Sequence, residues 1–184
     1  SNSTRSFTIP FDCQTMTLAA AHYPCFGIYI LRNDRVFAAL RCVSTPNEAH
    51  GGHLHQDQLH VEIAIDQNNI VTDPGSYVYT ALPERRCEYR AHSSHFVPWL
   101  AEWKELEKPT GIFSFLPSPC GQVTHLGDGN VSAIASHGGK YVRRTLDVRR
   151  DRIEVCDVAS GTLVSHPVTE IWFSAGYGIL TQSR

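Results

Sequence analysis

A period of two, repeated in short bursts along almost the whole chain, is what most limits the folds open to it. Leu59, Val61, Ile63 and Ile65 alternate with His60, Glu62, Ala64 and Asp66. Successive side chains of an extended chain point to opposite faces, so this alternation describes a strand buried on one side. Residues 27–32 and 35–40 flank Asn33-Asp34, a two-residue turn suited to closing a hairpin. Residues 67–69 and Pro74-Gly75 predict further turns. Strand-like runs return at 131–136, 141–148, 153–158 and 168–174, with a tight polar connection over 149–152. One stretch departs from the pattern. Trp99, Leu100, Trp103 and Leu106 stand at helical spacing between Pro98, suited to a first turn, and Pro109, a stop. The two tryptophans there are expected in the core rather than stacked on sugar. Many short strands, frequent turns and little helix predict an all-β fold, an antiparallel β-sandwich with one short helix.

At 184 residues the chain is sized for one domain with a real core, and 42% hydrophobic with 18% charged residues is an ordinary globular composition. A net charge of -2 gives no global case for binding nucleic acid. No apolar run approaches the roughly 18 residues a membrane span needs. Ser1-Asn2 reads as an expression scar, so the lack of a secretory signal carries little weight. Residues 1–3 are assigned to that scar and 4–184 to a domain of a larger protein. The six cysteines (Cys13, Cys25, Cys42, Cys87, Cys120, Cys156) form no C-x-x-C pair, which argues against a cysteine zinc site. Cys42 and Cys156 lie inside strand-like runs as small hydrophobes, so free thiols are favoured over disulfides and the compartment stays open.

The chemistry concentrates between residues 51 and 98. Gly51-Gly52-His53-Leu54-His55-Gln56-Asp57 sets two imidazoles two positions apart ahead of a strand, and Asp73 stands at the turn after it. Two imidazoles and a carboxylate from separated places suit zinc, with a further position for water or another group. A structural metal that orders the loop carrying His53 is favoured over a Lewis acid. Asp57 reads as a partner orienting an imidazole or as a cap on the next strand. Glu62 reads as a solvated strand charge or a partner for Arg90.

The run from Gly51 to Leu59, a strand containing Glu62, Asp73-Pro74-Gly75-Ser76-Tyr77-Val78-Tyr79-Thr80, Pro83-Glu84-Arg85-Arg86 and Tyr89-Arg90, in that order, resembles the heparinase II/III-like family of polysaccharide lyases. That resemblance implies a β-sandwich following an α/α toroid, with the active site in the cleft between them. It implies a catalytic role for His53, and zinc held by His55, Asp73 and a downstream histidine. His92 and His95 are the candidates, and the family's spacing from the arginine of the Tyr-Arg segment selects His95. Where the family has Asn-Thr next, this chain has Phe96-Val97. The resemblance further implies β-elimination on an acidic polysaccharide and a periplasmic or secreted setting. Such a lyase removes the proton at C5 beside a uronate carboxylate, which requires neutralising that carboxylate and a positioned acid and base. Arg85, Arg86 and Arg90 offer guanidinium contacts to carboxylate or sulfate, with a solvated loop face the equal alternative for Arg85 and Arg86. The family's tyrosine base and carboxylate clamp belong to the toroid, so the isolated domain is expected to bind zinc and turn over little.

Two other readings compete. One is a non-catalytic carbohydrate-binding or assembly module, as in a bacterial surface-polysaccharide pathway; an upstream toroid with an inward-facing tyrosine would favour the enzyme over it. A cupin-like metal enzyme also uses H-x-H on a sandwich, but wants a glutamate where Leu59 and His60 stand.

Overall fold

The computed structural model describes residues 2–13, 16–44, 53–107, 111–113, 118–164 and 173–181. Its strands in chain order are β1 (Ser3–Pro10), β2 (Ala19–Tyr23), β3 (Ile28–Arg32), β4 (Val36–Arg41), β5 (Val61–Ile65) and β6 (Asn68–Val71), then β7 (Cys120–Gly127), β8 (Asn130–His137), β9 (Lys140–Val148), β10 (Arg152–Ala159), β11 (Phe173–Gly176) and β12 (Ile179–Thr181). One five-stranded sheet runs β2-β3-β4-β5-β6, the other β1-β10-β9-β8-β7, and β11-β12 form a separate hairpin. Every pairing is antiparallel. The expected sandwich is the fold.

Alternation builds the core between the sheets. Leu31, Val36, Ala38, Leu40, Val61 and Ile63 of the first sheet share one buried cluster with Val131, Ala133, Val142, Leu146, Ile153 and Val155 of the second. The hairpin forms one residue later than read: Asn33 N–H donates to Val36 O at 2.9 Å, leaving Asp34-Arg35 as the turn, and the Asn33 side-chain oxygen accepts from the N–H groups of Arg35 and Val36 at 2.9 and 2.8 Å. The next turn sits earlier than read. Asp66 and Gln67 both have positive φ, 49° and 66°, which a two-residue hairpin turn demands, so Asn68 and Asn69 are already in β6. Arg35 fixes that turn through two bonds of 2.7 Å to the Asp66 carboxylate. The run read at 168–174 lies outside the described residues up to Phe173, where β11 begins, as do Gly51, Gly52 and Pro109.

The helical expectation needs correcting. The regular α-helix, α1 (Pro83–Arg90), lies in the stretch read only as a motif, with Pro83 at its start and Glu84 in its first turn. The tryptophan segment is a 3-10 stretch, Ala101–Glu107, broken at Trp103. Its beginning is pulled towards extended structure: Leu100 bridges Leu163, and Ala101 N–H donates to Thr162 O at 3.0 Å. The tryptophans are core, each 1% exposed, meeting edge to face at 5.5 Å. Their N–H groups are satisfied by Glu107 at 3.1 Å and His137 O at 3.2 Å. All six cysteines are free thiols, and burial raises Cys42 to about 12. No helix among the described residues is long and apolar enough to cross a membrane. β1 starts at Ser3, whose hydroxyl donates to Gly161 O at 2.5 Å.

Candidate functional site

Three segments meet at one end of the first sheet: residues 53–60 ahead of β5, residues 73–79 after β6, and residues 91–97 after α1. The first is a stiff loop. Arg90 donates to Leu54 O at 3.1 Å, Gln56 N–H donates to Arg90 O at 2.8 Å, and the Gln56 amide donates to Leu106 O at 2.6 Å. The Gln58 amide holds both polar groups of Val43 and also reaches Pro119 O at 3.1 Å. Leu59 is buried at φ 63°, and this reversal points His60 inward, 3% exposed.

His95, Asp73 and His60 converge, with ligand atoms all within 4.8 Å of one another. His95 Nδ1 and the Asp73 carboxylate lie 2.9 Å apart. The His55 ring lies beside that of His95, centroids 5.2 Å apart. The sequence brought forward His55 and not His60, because His60 falls on the polar phase of an alternating strand and reads there as an outward residue. His92 is not part of the group. It stacks on Trp99 at 4.0 Å and faces Glu107 at 3.4 Å.

Proton positions sort the three imidazoles. Burial lowers His55 and His60 to about 3, so both are neutral near pH 7. The Phe96 N–H donates to His60 Nδ1 at 3.0 Å, which puts the ring proton of His60 on Nε2, 3.9 Å from Asp73. Arg86 donates to His55 Nε2 at 3.1 Å, so the lone pair of His55 is on that atom. Burial raises the Asp73 carboxyl, but the hydrogen bonds it accepts from His95 and from the Gly75 N–H act against it, and the group is held below the usual carboxylate range. A carboxylate accepts, so His95 Nδ1 donates, and a neutral His95 carries its lone pair on Nε2. That atom is buried without a hydrogen-bond partner among the described residues. An imidazole oriented through Nδ1 by a carboxylate, its other nitrogen unsatisfied, is the arrangement of a metal ligand. Grouped imidazoles and a carboxylate, as in His60, Asp73 and His95, are the donor types a borderline divalent cation takes.

The remaining predicted residues separate. His53 is exposed and sits edge-on to Tyr79, 5.9 Å between ring centroids, so His53 and His55 occupy different surroundings. Among the described residues Asp57 pairs with Arg41, at 2.5 Å, rather than with an imidazole. Arg86 and Arg90 are fully buried, which removes the solvated loop face as an account of Arg86. Arg90 is occupied by the backbone oxygens of Leu54, Gly111 and Ile112, and Arg86 lies over the Tyr79 ring at 4.6 Å. Arg85 is half-buried and bonded to Glu88. Glu62 is exposed on β5.

One contributor comes from the opposite sheet. Arg144 on β9 and Asp157 on β10 are cross-strand partners and fully buried. They form a two-pronged pair at 2.7 and 2.8 Å, and Arg5 approaches Asp157 at 3.1 Å. The remaining Arg144 nitrogen donates to Leu59 O at 2.9 Å and Phe96 O at 2.5 Å. It thereby ties together the loops carrying His60 and His95. Parity was the available signal: Arg144 shares a face with Val142 and Leu146, and Asp157 with Val155 and Ala159.

Residues 15–96 match the family model described as Heparinase II/III-like, C-terminal. Two solved structures, "Heparinase III-BT4657 gene product" and the same protein with methylated lysines, each align with TM-score 0.51 at 17% identity over 69% of this chain and 19% of theirs. The likeness to them is one of fold, and the chain spans about a fifth of their length. No curated protein sequence matches.

Proposed function

We propose that this chain, a heparinase II/III-like C-terminal domain over residues 15–96, is the β-sandwich part of a polysaccharide lyase acting by β-elimination on a uronic-acid polysaccharide. The observation that carries the reading is the convergence of His95, Asp73 and His60, with the His55 ring 5.2 Å from that of His95. In it, residues 4–184 are the sandwich domain, and an α/α toroid of the same protein supplies the tyrosine base and the rest of the carboxylate clamp.

His55, Asp73 and His95 would hold zinc, His55 in exchange for its hydrogen bond from Arg86, and His60 would keep its Nε2 proton and face Asp73. Bound there, zinc would supply a fixed positive charge that orders the loop. His53 faces the substrate, where its imidazole neutralises the uronate carboxylate or carries a proton at C4 or C5. Arg86, buried against the Tyr79 ring that His53 meets, adds positive charge nearby, which favours the anion that develops as the C5 proton leaves.

Metal analysis of the purified chain and single variants tests this. Zinc is expected in the parent and in His53→Ala, reduced in His60→Phe, and lost in His55→Ala and His95→Ala; equal zinc in all five removes the metal reading. Uronate unsaturation, followed by its ultraviolet absorbance, is expected to be negligible for this chain alone and to appear with the toroid present and His53 intact. The competing reading, a non-catalytic binding module, predicts no unsaturation even then.

A further inference from the structure

The C-terminal hairpin reaches back to this site. Ser174 N–H donates to Pro74 O at 2.9 Å, and Gly178 N–H donates to Tyr77 O at 2.8 Å. Gly75, at φ 78°, lets the two backbones approach: a Cβ there would stand 2.9 Å from Ser174 O. The turn between β11 and β12 is completed by Gly178 at φ 71°, and the residue before it is Tyr177. Docking in this register puts the Tyr177 ring beside Tyr79, 6.1 Å between centroids and 11° from parallel. Phe113 lies on Tyr79 as well, at 6.2 Å and 16°, and His53 touches both rings. The outer two rings are open to solvent, Tyr177 by 61% and Phe113 by 46%.

We infer that Tyr177, Tyr79 and Phe113 form a stacking platform for a pyranose ring of an acidic polysaccharide, one sugar unit along from the unit that meets His53. The inference rests on the lyase reading for the acidity of the sugar, and on geometry for the platform. Near-parallel aromatic rings held open to water leave apolar area uncovered, at about 25 cal/mol per Å². A flat apolar partner with polar edges recovers that area, and a sugar ring, with C–H groups on its faces and hydroxyls round its rim, is such a partner. Charge beside the rings favours an acidic one: the buried Arg86 guanidinium lies over Tyr79 at 4.6 Å, and Arg85, paired with Glu88, lies over Tyr77 at 5.9 Å. Phe113 and Tyr177 both fall outside the region matched by the family model, so this platform is assigned from the placement of the rings in this chain.

Calorimetric titration of the zinc-loaded 184-residue chain with oligogalacturonate, oligomannuronate, a heparin oligosaccharide and a neutral cello-oligosaccharide tests the platform. At least one acidic oligosaccharide is expected to bind, about tenfold more weakly to Tyr177→Ala, Tyr177→Leu and Phe113→Ala, the size of one aromatic contact of ~1.4 kcal/mol. Tyr177→Phe is expected to bind as the parent does, and the loss in the other variants to persist at high salt, which screens the arginine contribution. Unchanged zinc content and melting temperature show that the variants fold. Equal affinity of all variants for an acidic oligosaccharide overturns the platform and leaves the lyase reading standing. Preference for the neutral oligosaccharide, weakened by the same variants, keeps the platform and overturns the acidic assignment and the lyase reading with it. No binding of any saccharide by the parent overturns the platform.

Discussion

At the scale of single residues, the most consequential side chains lie furthest from the motif. Arg144 and Asp157 place charge in the middle of an apolar face, and removing one member leaves the other buried without its counter-charge. Asp157→Asn is therefore expected to cost about 3–5 kcal/mol in urea denaturation. An apolar pair, Arg144→Met with Asp157→Leu, should regain much of that loss, since a buried ion pair often stabilises no more than hydrophobes of similar size. It should not regain zinc affinity, because Leu59 O and Phe96 O lose the donor that joins the two histidine loops. Recovery of both together would show that Arg144 acts on stability alone. The nearness of His55, Asp73 and His95 was legible because imidazoles and a carboxylate close to turns point to shared chemistry more readily than to packing. His60 was not, because it falls on the polar phase of an alternating strand; Arg144 and Asp157 carried only a parity signal, which places each charge on an apolar face without naming its partner. The positive φ at Leu59 that turns His60 inward leaves no mark on composition.

Elements were legible in proportion to their apolar periodicity. The strands of both sheets follow from alternation, and the hairpin between β3 and β4 from its turn residues, read one position early. The α1 helix escaped notice because its buried face is Arg86, Tyr89 and Arg90, a helical stripe made mostly of guanidinium groups, so hydrophobic spacing is silent there. The tryptophan segment failed in the opposite sense: its spacing is helical, but ties to residues 162 and 163 prevent a regular helix. Edge strand β7 shows how closely the two sheets are joined below the site. Gly121 N–H donates to Val43 O at 2.9 Å, and a Cβ at that position would stand 2.2 Å from the Gln58 amide nitrogen and 2.7 Å from Val43 O. Gly121→Ala is accordingly expected to destabilise by about 1–3 kcal/mol, as overpacking does, and to loosen residues 53–60 because Gln58 must give way. Faster amide exchange at Leu59 and His60 than at β8 would show this, and uniform exchange throughout would refute the coupling.

For the molecule as a whole, the site makes stability depend on pH in a definite direction. The burial that lowers His55 and His60 to about 3 acts in the folded state; in the unfolded chain both titrate near 6.5. Between those values the unfolded chain binds more protons than the folded one, so unfolding free energy rises with pH. The contribution is complete above about pH 6.5 and is lost as pH falls towards 3, by at most about 1.4 kcal/mol per pH unit for each histidine. Asp73, held below the usual carboxylate range, adds a loss of the same sign below about pH 4. The urea midpoint of zinc-free protein should therefore fall steadily between pH 7 and 4, and His60→Phe should flatten the slope even where it lowers the midpoint. Loading with zinc should raise the midpoint at pH 7, and that gain should vanish on acidification as protons compete for the same nitrogens. A zinc-free midpoint independent of pH across this range would mean that the imidazoles are open to water in solution, and the convergence of His55, His60 and His95 on Asp73 would have to be given up.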